Sequence, residues 1–360
     1  MKEHYNVALL FGGVSSEHDI SCMSAQTFMT AMEPDDSYTV YPIYIDRQGR
    51  WFLYDGDRRG LKDAPKSEYS VPVAIVPGMG RDAFLMMGES GMETLEIDVV
   101  IPVLHGLNGE DGTVQGLLEM ARIPYVGCGI LASAVAMDKV YTKKIVQGLG
   151  IRQARYVDLT RYEIAQAEEE AVRKVEEAFD YPVFVKPSRA GSSVGVTKAR
   201  NAEELREGLK KAAAEDRRVL VEEFIDGREV ECAVLGEQDV KAANVGEILS
   251  AAEFYDFEAK YINVESKTVV PAEMNEATRQ EIRRDAVAIF RGIDGSGLSR
   301  VDFFIERSTG EVIFNEINTF PGFTPISMYP MLWKAEGMSV EEQIRELIRI
   351  AMERKPSYGA

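Results

Sequence analysis

The apolar positions of this chain change period along its length, and the changes divide it. Residues 5–11 (YNVALLF) form a nearly unbroken apolar run of strand length, followed by a Gly-Gly loop and a helix predicted to begin near Ser16–Asp19. YTVYPIYI and VPVAIV read as further strands; GDRRGLKDAPKS between them, polar and containing Pro and Gly, reads as a loop or insertion. EIDVVIPVLHG is the strongest strand of this part, its continuous apolar character suiting a sheet covered on both faces. GTVQGLLEMAR then has helical spacing and precedes IPYVG. This alternation predicts an α/β domain over residues 1–127.

Leu131–Gln147 has helical spacing, with Met137, Tyr141 and Ile145 as its candidate packed face and Gly148 and Gly150 as its stop. A second helix is predicted over Glu163–Phe179, then strands at YPVFVKPS and GVTKA. Asn201 followed by Glu204 signals the capped start of ELREGLKKAAAE. RVLVEEFI, EVECAVLG and VKAANVGEI read as successive strands, residues 276–292 as a helix, and the end through Met352 as helical. The later chain is therefore α+β, divided into residues 128–218 and 219–360.

RVDFFIERSTGEVIFNEIN carries the most specific pattern. Thr309-Gly310 marks a turn between two arms rich in Val, Ile and Phe, and a 307–311 connection sets Asp302 opposite Glu316. Strict alternation then puts Val301, Phe303, Ile305, Ile313 and Ile317 on one face, with Asn315 as its polar exception. Asp302, Phe304, Phe314, Glu316 and Asn318 share the other. Carboxylates on a greasy strand face are either solvated or ligands. Two of them roughly 4 Å apart repel by about 4 kcal/mol at an effective dielectric near ~20, which a divalent cation turns into attraction. Two carboxylates and a carboxamide are hard oxygen donors, the set Mg²⁺ combines with water and phosphate.

Composition narrows the partners. The 360 residues are 45% hydrophobic and 28% charged, a globular balance, and the net charge of −18 argues against a nucleic-acid or anionic-membrane surface. The first apolar run is far shorter than the roughly 18 residues a membrane span needs, and no signal-peptide pattern precedes it. Three dispersed cysteines and three histidines supply neither a disulfide frame nor a soft metal site; reduced, cytoplasmic thiols are expected.

A magnesium site with few protein ligands expects phosphate beside it. VFVKPSRAGSSVGV offers Lys186 at a strand end and then Gly191-Ser192-Ser193-Val194-Gly195, whose backbone N–H groups and hydroxyls can fold over phosphate oxygens, although a plain strand connection has the same composition. Neither GxGxxG nor a P-loop order is present, which counts against a nicotinamide oxidoreductase. Lys139 sits on a helix, where lysines are usually solvated. Lys260 lies among aromatics and acids in EFYDFEAKY, a mixture that suits either a closing loop or a strand rim.

Taken together, GGVSSEHDIS, VLHGLNGEDG, KPSRAGSSVG, EFYDFEAKY, RVDFF and NEINTFPGFTPISMYP, in order from about Val7 to Glu336, resemble the D-alanine–D-alanine ligase family of ATP-grasp enzymes. NEINTFPGFT alone is equally similar to depsipeptide-forming relatives. The resemblance implies three domains: an α/β N-terminal domain followed by a two-domain α+β ATP-grasp fold. It implies ATP-dependent joining of two D-alanines through an acyl phosphate, for peptidoglycan precursors, in a cytoplasmic homodimer. Asp302, Glu316 and Asn318 would hold two Mg²⁺, with Mn²⁺ as a substitute and a monovalent cation as a further candidate. Lys139 and Lys186 would contact the α- and β-phosphates and Lys260 the γ-phosphate, under Ser192 and Ser193. Phe184, Glu222 and the backbone of Glu223, Phe224 and Ile225 would face the base, with Glu229 at the ribose and Phe304, Asn315 and Glu316 as further nucleotide-site residues. Glu17 would meet the first substrate's amino group and His105 its carboxylate. Arg300 and the backbone of Gly322 would stabilise the oxyanion, and Ser327 would hold the second carboxylate. Glu17, Ser192 and Tyr261 would close the omega loop, in which Phe257 stands where many relatives carry tyrosine. A D-lactate or D-serine ligase and a non-catalytic nucleotide sensor are the alternatives.

Overall fold

The structure, a computed structural model, describes residues 4–66, 71–88, 91–191, 194–249 and 267–354. Ser192, Ser193 and the 250–266 segment with Lys260 and Tyr261 lie outside the described residues.

The N-terminal sheet runs β3-β2-β1-β7, from Trp51–Leu53, Tyr38–Ile45, Tyr5–Gly12 and Val99–Val103, with β2, β1 and β7 parallel. Val7, Leu9 and Phe11 pack with α1 (His18–Met32), while Ala8 and Leu10 face Val114 and Leu118 of α2 (Thr113–Ala121). Burial on both faces is why the run reads as unbroken. The GDRRGLKDAPKS segment is more than a polar loop: it makes 3₁₀ turns, and Leu61 and Ala64 are buried in the core against α1. A small antiparallel sheet of β4 (Val73–Ile75), β5 (Phe84–Gly88) and β6 (Gly91–Leu95) follows.

The predicted 131–147 helix is two helices. Asp138, extended at φ −93° and ψ 99°, ends α3 (Ile130–Met137) and caps α4 (Lys139–Gly148) by accepting from the N–H groups of Val140 and Tyr141. The break rotates α4, so Val140, Lys143 and Val146 face inward and Tyr141 is exposed. Likewise Ala167 interrupts the predicted 163–179 helix, leaving α5 (Arg161–Gln166) and α6 (Glu168–Glu176).

The central sheet, β10-β9-β11-β8, is antiparallel, from Thr197–Ala199, Val183–Pro187, Arg218–Glu223 and Tyr156–Thr160. Its apolar face packs on α5, α6 and α7 (Ala202–Glu215), which starts at the Asn201 cap. The expected boundary at 218 falls at the first residue of β11. Backbone pairing instead places the change of sheet after Glu223.

The last sheet is β14-β13-β12-β15-β16, from Lys267–Val269, Lys241–Leu249, Gly227–Gly236, Gly297–Glu306 and Val312–Asn318. Val230, Cys232, Val301, Phe303 and Ile317 pack under α8 (Glu276–Gly292). On the opposite face Ala233, Leu235 and Leu298 join one core with α1, α9 (Met328–Ala335) and α10 (Val340–Glu353). The first and last parts of the chain thus share a hydrophobic core, which fixes their relative position. Gly127 and Gly297 meet at this seam: a Cβ on Gly297, at φ +78°, would lie 3.0 Å from the Gly127 backbone. The three cysteines are buried and unbridged. No helix among the described residues is long and apolar enough to cross a membrane.

Candidate active site

The polar half of the last sheet's inner face holds the predicted acids. Glu231 of β12 pairs in register with Asp302 of β15, and Asp302 with Glu316 of β16. Three carboxylates therefore lie in one row across three strands. Arg300 and Asn318 pair in the next row on the same face. The Arg300 guanidinium makes two 2.7 Å hydrogen bonds to Asp302 and lies 3.0 Å from Glu231; Asn318 Nδ2 donates to Asp302 at 3.1 Å.

The predicted hairpin register holds at Asp302–Glu316 and fails one step later. A bulge inserts Asn315, so Phe303 faces Phe314 and Phe304 faces Ile313. Phe314 therefore moves from the expected acidic face to the core face, its ring 6.1 Å from that of Phe303. Asn315 is released from the core face and lines the cavity.

Opposite this sheet stands the inner face of the central one. Phe184 and Lys186, two apart on β9, lie beside Glu222 and Leu220 of β11. Lys186 is 2.5 Å from Glu222. Burial alone would push the Glu222 carboxyl up, but Lys143 and Lys186 hold it down at about 2. Both carboxylate oxygens are committed to lysines, so this residue has its backbone to offer a base. Glu223 turns away, accepting from the Arg155 N–H at 2.8 Å and from its Nε at 2.7 Å. Phe184 and Phe224 approach at 6.1 Å and form an apolar end with Ile225 and Phe304, and Glu229 stands in register beside Phe304. Lys139 is held at the mouth of the Gly-Ser loop, donating to the Ala190 carbonyl at 2.9 Å and lying 3.8 Å from Glu316.

The N-terminal sheet closes the far wall. Glu17 precedes α1 and fits between two glycines: a Cβ at Gly106 (φ +69°) would lie 2.9 Å from its Oε2, and one at Gly191 3.1 Å away. His105 Nδ1 donates to the Phe320 carbonyl at 3.0 Å, so in the neutral ring Nε2 accepts from Ser24 Oγ, also at 3.0 Å. Burial lowers its pKa against the opposing charge of Glu17, keeping it neutral. Ser24 Oγ also accepts from the Phe323 N–H at 3.1 Å. Ser327 Oγ accepts from the Thr324 N–H at 3.0 Å, and Gly322 lines the same wall.

These walls enclose one cavity of about 650 Å³, lined by Glu17, His105, Lys139, Lys186, Arg300 and Glu316 among others. Its volume suits a cofactor-sized ligand. Among the described residues no three acids, histidines or cysteines close on a single point, and Asp302 is turned to Arg300. The donor set nevertheless fits a hard cation. Three carboxylates face Arg300 and Lys139, which leaves negative charge over, and the Asn318 amide presents its oxygen when turned about its own bond.

Sequence reading missed four contributors. Glu231 was accessible: it shares a strand face with Glu229, by the alternation that joined Glu316 to Asn318. Lys143 was accessible as the i+4 neighbour of Lys139 once Asp138 is recognised as a cap. Ser24 and Glu110 carry no local signal. Glu110 accepts from the N–H groups of Gly106 and Phe320, both at 2.9 Å, and so ties the two loops of the far wall. Burial, reinforced by Glu17, pushes its carboxyl up to about 8. The folded state then holds this proton where the unfolded chain has lost it, so the stabilisation is present below the ordinary carboxylate range and is lost as pH rises through about 8. Glu110→Gln cannot titrate. Thermal melts from pH 5 to 9 should show the wild type losing at least about 2 °C of its advantage over this variant. Parallel curves would remove Glu110 as the titrating group.

The sequence family described as D-ala D-ala ligase N-terminus matches residues 6–128, and D-ala D-ala ligase C-terminus matches residues 145–349. The D-alanine--D-alanine ligase of Acetivibrio thermocellus is 50% identical over 367 residues, covering 98% of this chain and 97% of the relative. That of Caldicellulosiruptor bescii is 44% identical, covering 97% and 95%. Among solved structures, the VanG D-Ala:D-Ser ligase from Enterococcus faecalis superposes with a TM-score of 0.87 at 38% identity over 97% of this chain and 99% of its own. The D-alanine-D-alanine ligase from Coxiella burnetii gives 0.86 at 32% identity, over 98% and 95%. The chain belongs to the D-alanine–D-alanine ligase family.

Proposed function

We propose that the chain joins two D-alanines with ATP, giving D-alanyl-D-alanine, ADP and phosphate for peptidoglycan precursor synthesis in the cytoplasm. One observation carries this reading: the acid row with Arg300 faces Lys139 and Lys186 across a single cavity whose third wall is Glu17 and His105. A carboxylate does not accept an amine at neutral pH because oxide is a poor leaving group. The first D-alanine's carboxylate oxygen therefore takes the γ-phosphoryl group, and ADP leaves. The second D-alanine's amine, having lost a proton, then attacks the carbonyl carbon, and phosphate leaves.

Each wall serves one need of that chemistry. Lys139 and Lys186 neutralise nucleotide phosphates, and Phe184, Phe224, Ile225 and Phe304 take the base. Glu17 pairs with the first ammonium. Arg300 and the Gly322 N–H face the oxyanion, and Ser327 the second carboxylate. Asp302, Glu316 and Asn318 would hold two Mg²⁺, or Mn²⁺ in their place, which supply charge neutralisation between phosphate oxygens. An acyl phosphate is labile in water, so a closing loop must exclude it; Glu17, Ser192 and Tyr261 are assigned to that closure, Ser193 to the cover of the phosphates, Lys260 to the γ-phosphate and a homodimer to the assembly.

The test is phosphate release with D-alanine, L-alanine, D-serine and D-lactate as acceptors, with product masses determined. D-alanyl-D-alanine as main product is the expected result. The likeness to a D-Ala:D-Ser ligase favours D-serine as the second reading. Dominant D-alanyl-D-serine would move the chain to that specificity, and nucleotide binding without phosphate release would make it a sensor.

A further inference from the structure

Lys143 is 2% exposed, does not line the cavity, and is nevertheless a charged group in the machinery beside it. Its ammonium lies 2.6 Å from Glu222 Oε1, donates to the Ala154 carbonyl at 3.2 Å and stands 5.5 Å from the centre of the Tyr156 ring. Lys186 takes the other oxygen of the same carboxylate at 2.5 Å, with its side chain 18% exposed toward the cavity. One buried carboxylate thus serves two lysines. One is sealed behind the strand and the other is open to ligand.

The arithmetic of charge gives this arrangement a consequence. If Lys186 alone balanced Glu222, turning its ammonium toward an anionic ligand would strand a carboxylate in the interior, which is costly. With Lys143 fixed behind it, Glu222 keeps a counterion wherever Lys186 points, and the surplus positive charge is presented to the cavity. We infer that Lys143 is a positioning residue for the nucleotide site: it holds Glu222 ionised so that Lys186 can turn to the phosphates. This deepens the ATP-dependent reading given above and rests on it.

Among the described residues, few groups face Glu222. Lys143 comes from α4, Lys186 from the paired strand β9, and Tyr156 from the register position opposite on β8. Glu316 and Glu229, on the last sheet, act on Lys186 from across the cavity and help hold its proton. Among the described residues, Lys186 apart, none of these groups can supply a cation beside this carboxylate in place of Lys143.

The experiment is titration calorimetry of ATP–Mg into the full chain at pH 6.5, in two buffers of different ionisation enthalpy. The wild type should bind with no net proton uptake. Lys143→Met, similar in volume, should bind roughly 10–100-fold more weakly and take up a fraction of a proton, because Glu222 protonates when Lys186 leaves it. Lys143→Arg should restore proton-neutral binding. The double variant Lys143→Met/Glu222→Gln should abolish the uptake. Should Lys143→Met not fold by circular dichroism, Lys143→Gln, which keeps a donor to Ala154, takes its place with the same outcomes. Uncharged variants that bind as the wild type does, or weakly but without proton uptake, overturn the inference and leave the ATP reading intact. A wild type that binds no nucleotide overturns both.

Discussion

Glu316→Ala should lower kcat by about 10³-fold, on the scale of a lost transition-state electrostatic contact, without loss of thermal stability. The activity loss follows from position. Glu316 is the register partner of Asp302 and lies 3.8 Å from Lys139, so it belongs to both the acid row and the phosphate side of the cavity. Removing it takes one carboxylate from the proposed cation set and leaves Lys139 less well placed. Stability should move the other way. The Glu316 side chain is 27% exposed, Val312, Phe314 and Ile317 of β16 pack on the opposite face, and its neighbours across the sheet are Asp302 and, one strand further, Glu231. Taking one like charge from that row should leave Tm unchanged or raise it slightly, the pattern expected where function holds charges together against their repulsion. Phosphate release at saturating Mg²⁺ and D-alanine, with a melt of the same sample, measures both. Normal ADP release at saturating Mg²⁺ would remove Glu316 from the metal site.

Parts of this site were legible because they obey a local period. Alternation on the last hairpin suffices to put Asp302, Glu316 and Asn318 on one face, but the expected 307–311 connection gives their register only because the bulge at Asn315 offsets a turn one residue tighter, with Ile305 facing Val312. What alternation cannot register is an extra residue. The bulge at Asn315 exchanges Phe314 and Ile313 between faces without changing any residue type, since both are apolar. The helix over 131–147 failed for a related reason. Lys139 to Gln147 continues the helical period of Leu131 to Met137 closely enough to hide the turn at Asp138, and an unbroken helix sets Tyr141 on the expected packed face and leaves Lys143 unnoticed. Glu110, His105 and Ser24 could not be placed by any local rule, because their partners, Gly106 apart, are backbone and side-chain groups far away in sequence. The family resemblance supplied roles for the motif residues, but it named neither Lys143 nor Glu231, whose work is to balance charge behind the residues that touch ligand.

Arg300→Met tests the other end of that balance, and its signature should be the reverse of Glu316→Ala in stability. Arg300 stands between two buried carboxylates, bidentate on Asp302 and 3.0 Å from Glu231. If a cation takes Asp302, Glu231 remains to hold the guanidinium, which can then turn its remaining donors toward the oxyanion. Truncation should therefore lower kcat by roughly 10²–10³-fold while leaving the KM for ATP within about threefold, since the contact matters in the transition state more than in nucleotide binding. Arg300→Lys should rescue little, because an ammonium cannot bridge two carboxylates in a planar fork. A rise in the KM for ATP with kcat unchanged would transfer Arg300 to the nucleotide site. Without the guanidinium, Asp302 and Glu231 lose their buried cation, a change that costs about 3–5 kcal/mol in comparable pairs, so Tm should fall. Added Mg²⁺ should then raise Tm more in Arg300→Met than in the wild type, because the ion supplies the charge the arginine did. Equal Mg²⁺ shifts in the two proteins would mean that the metal and Arg300 do not share Asp302, and the proposed cation set would have to be drawn without it.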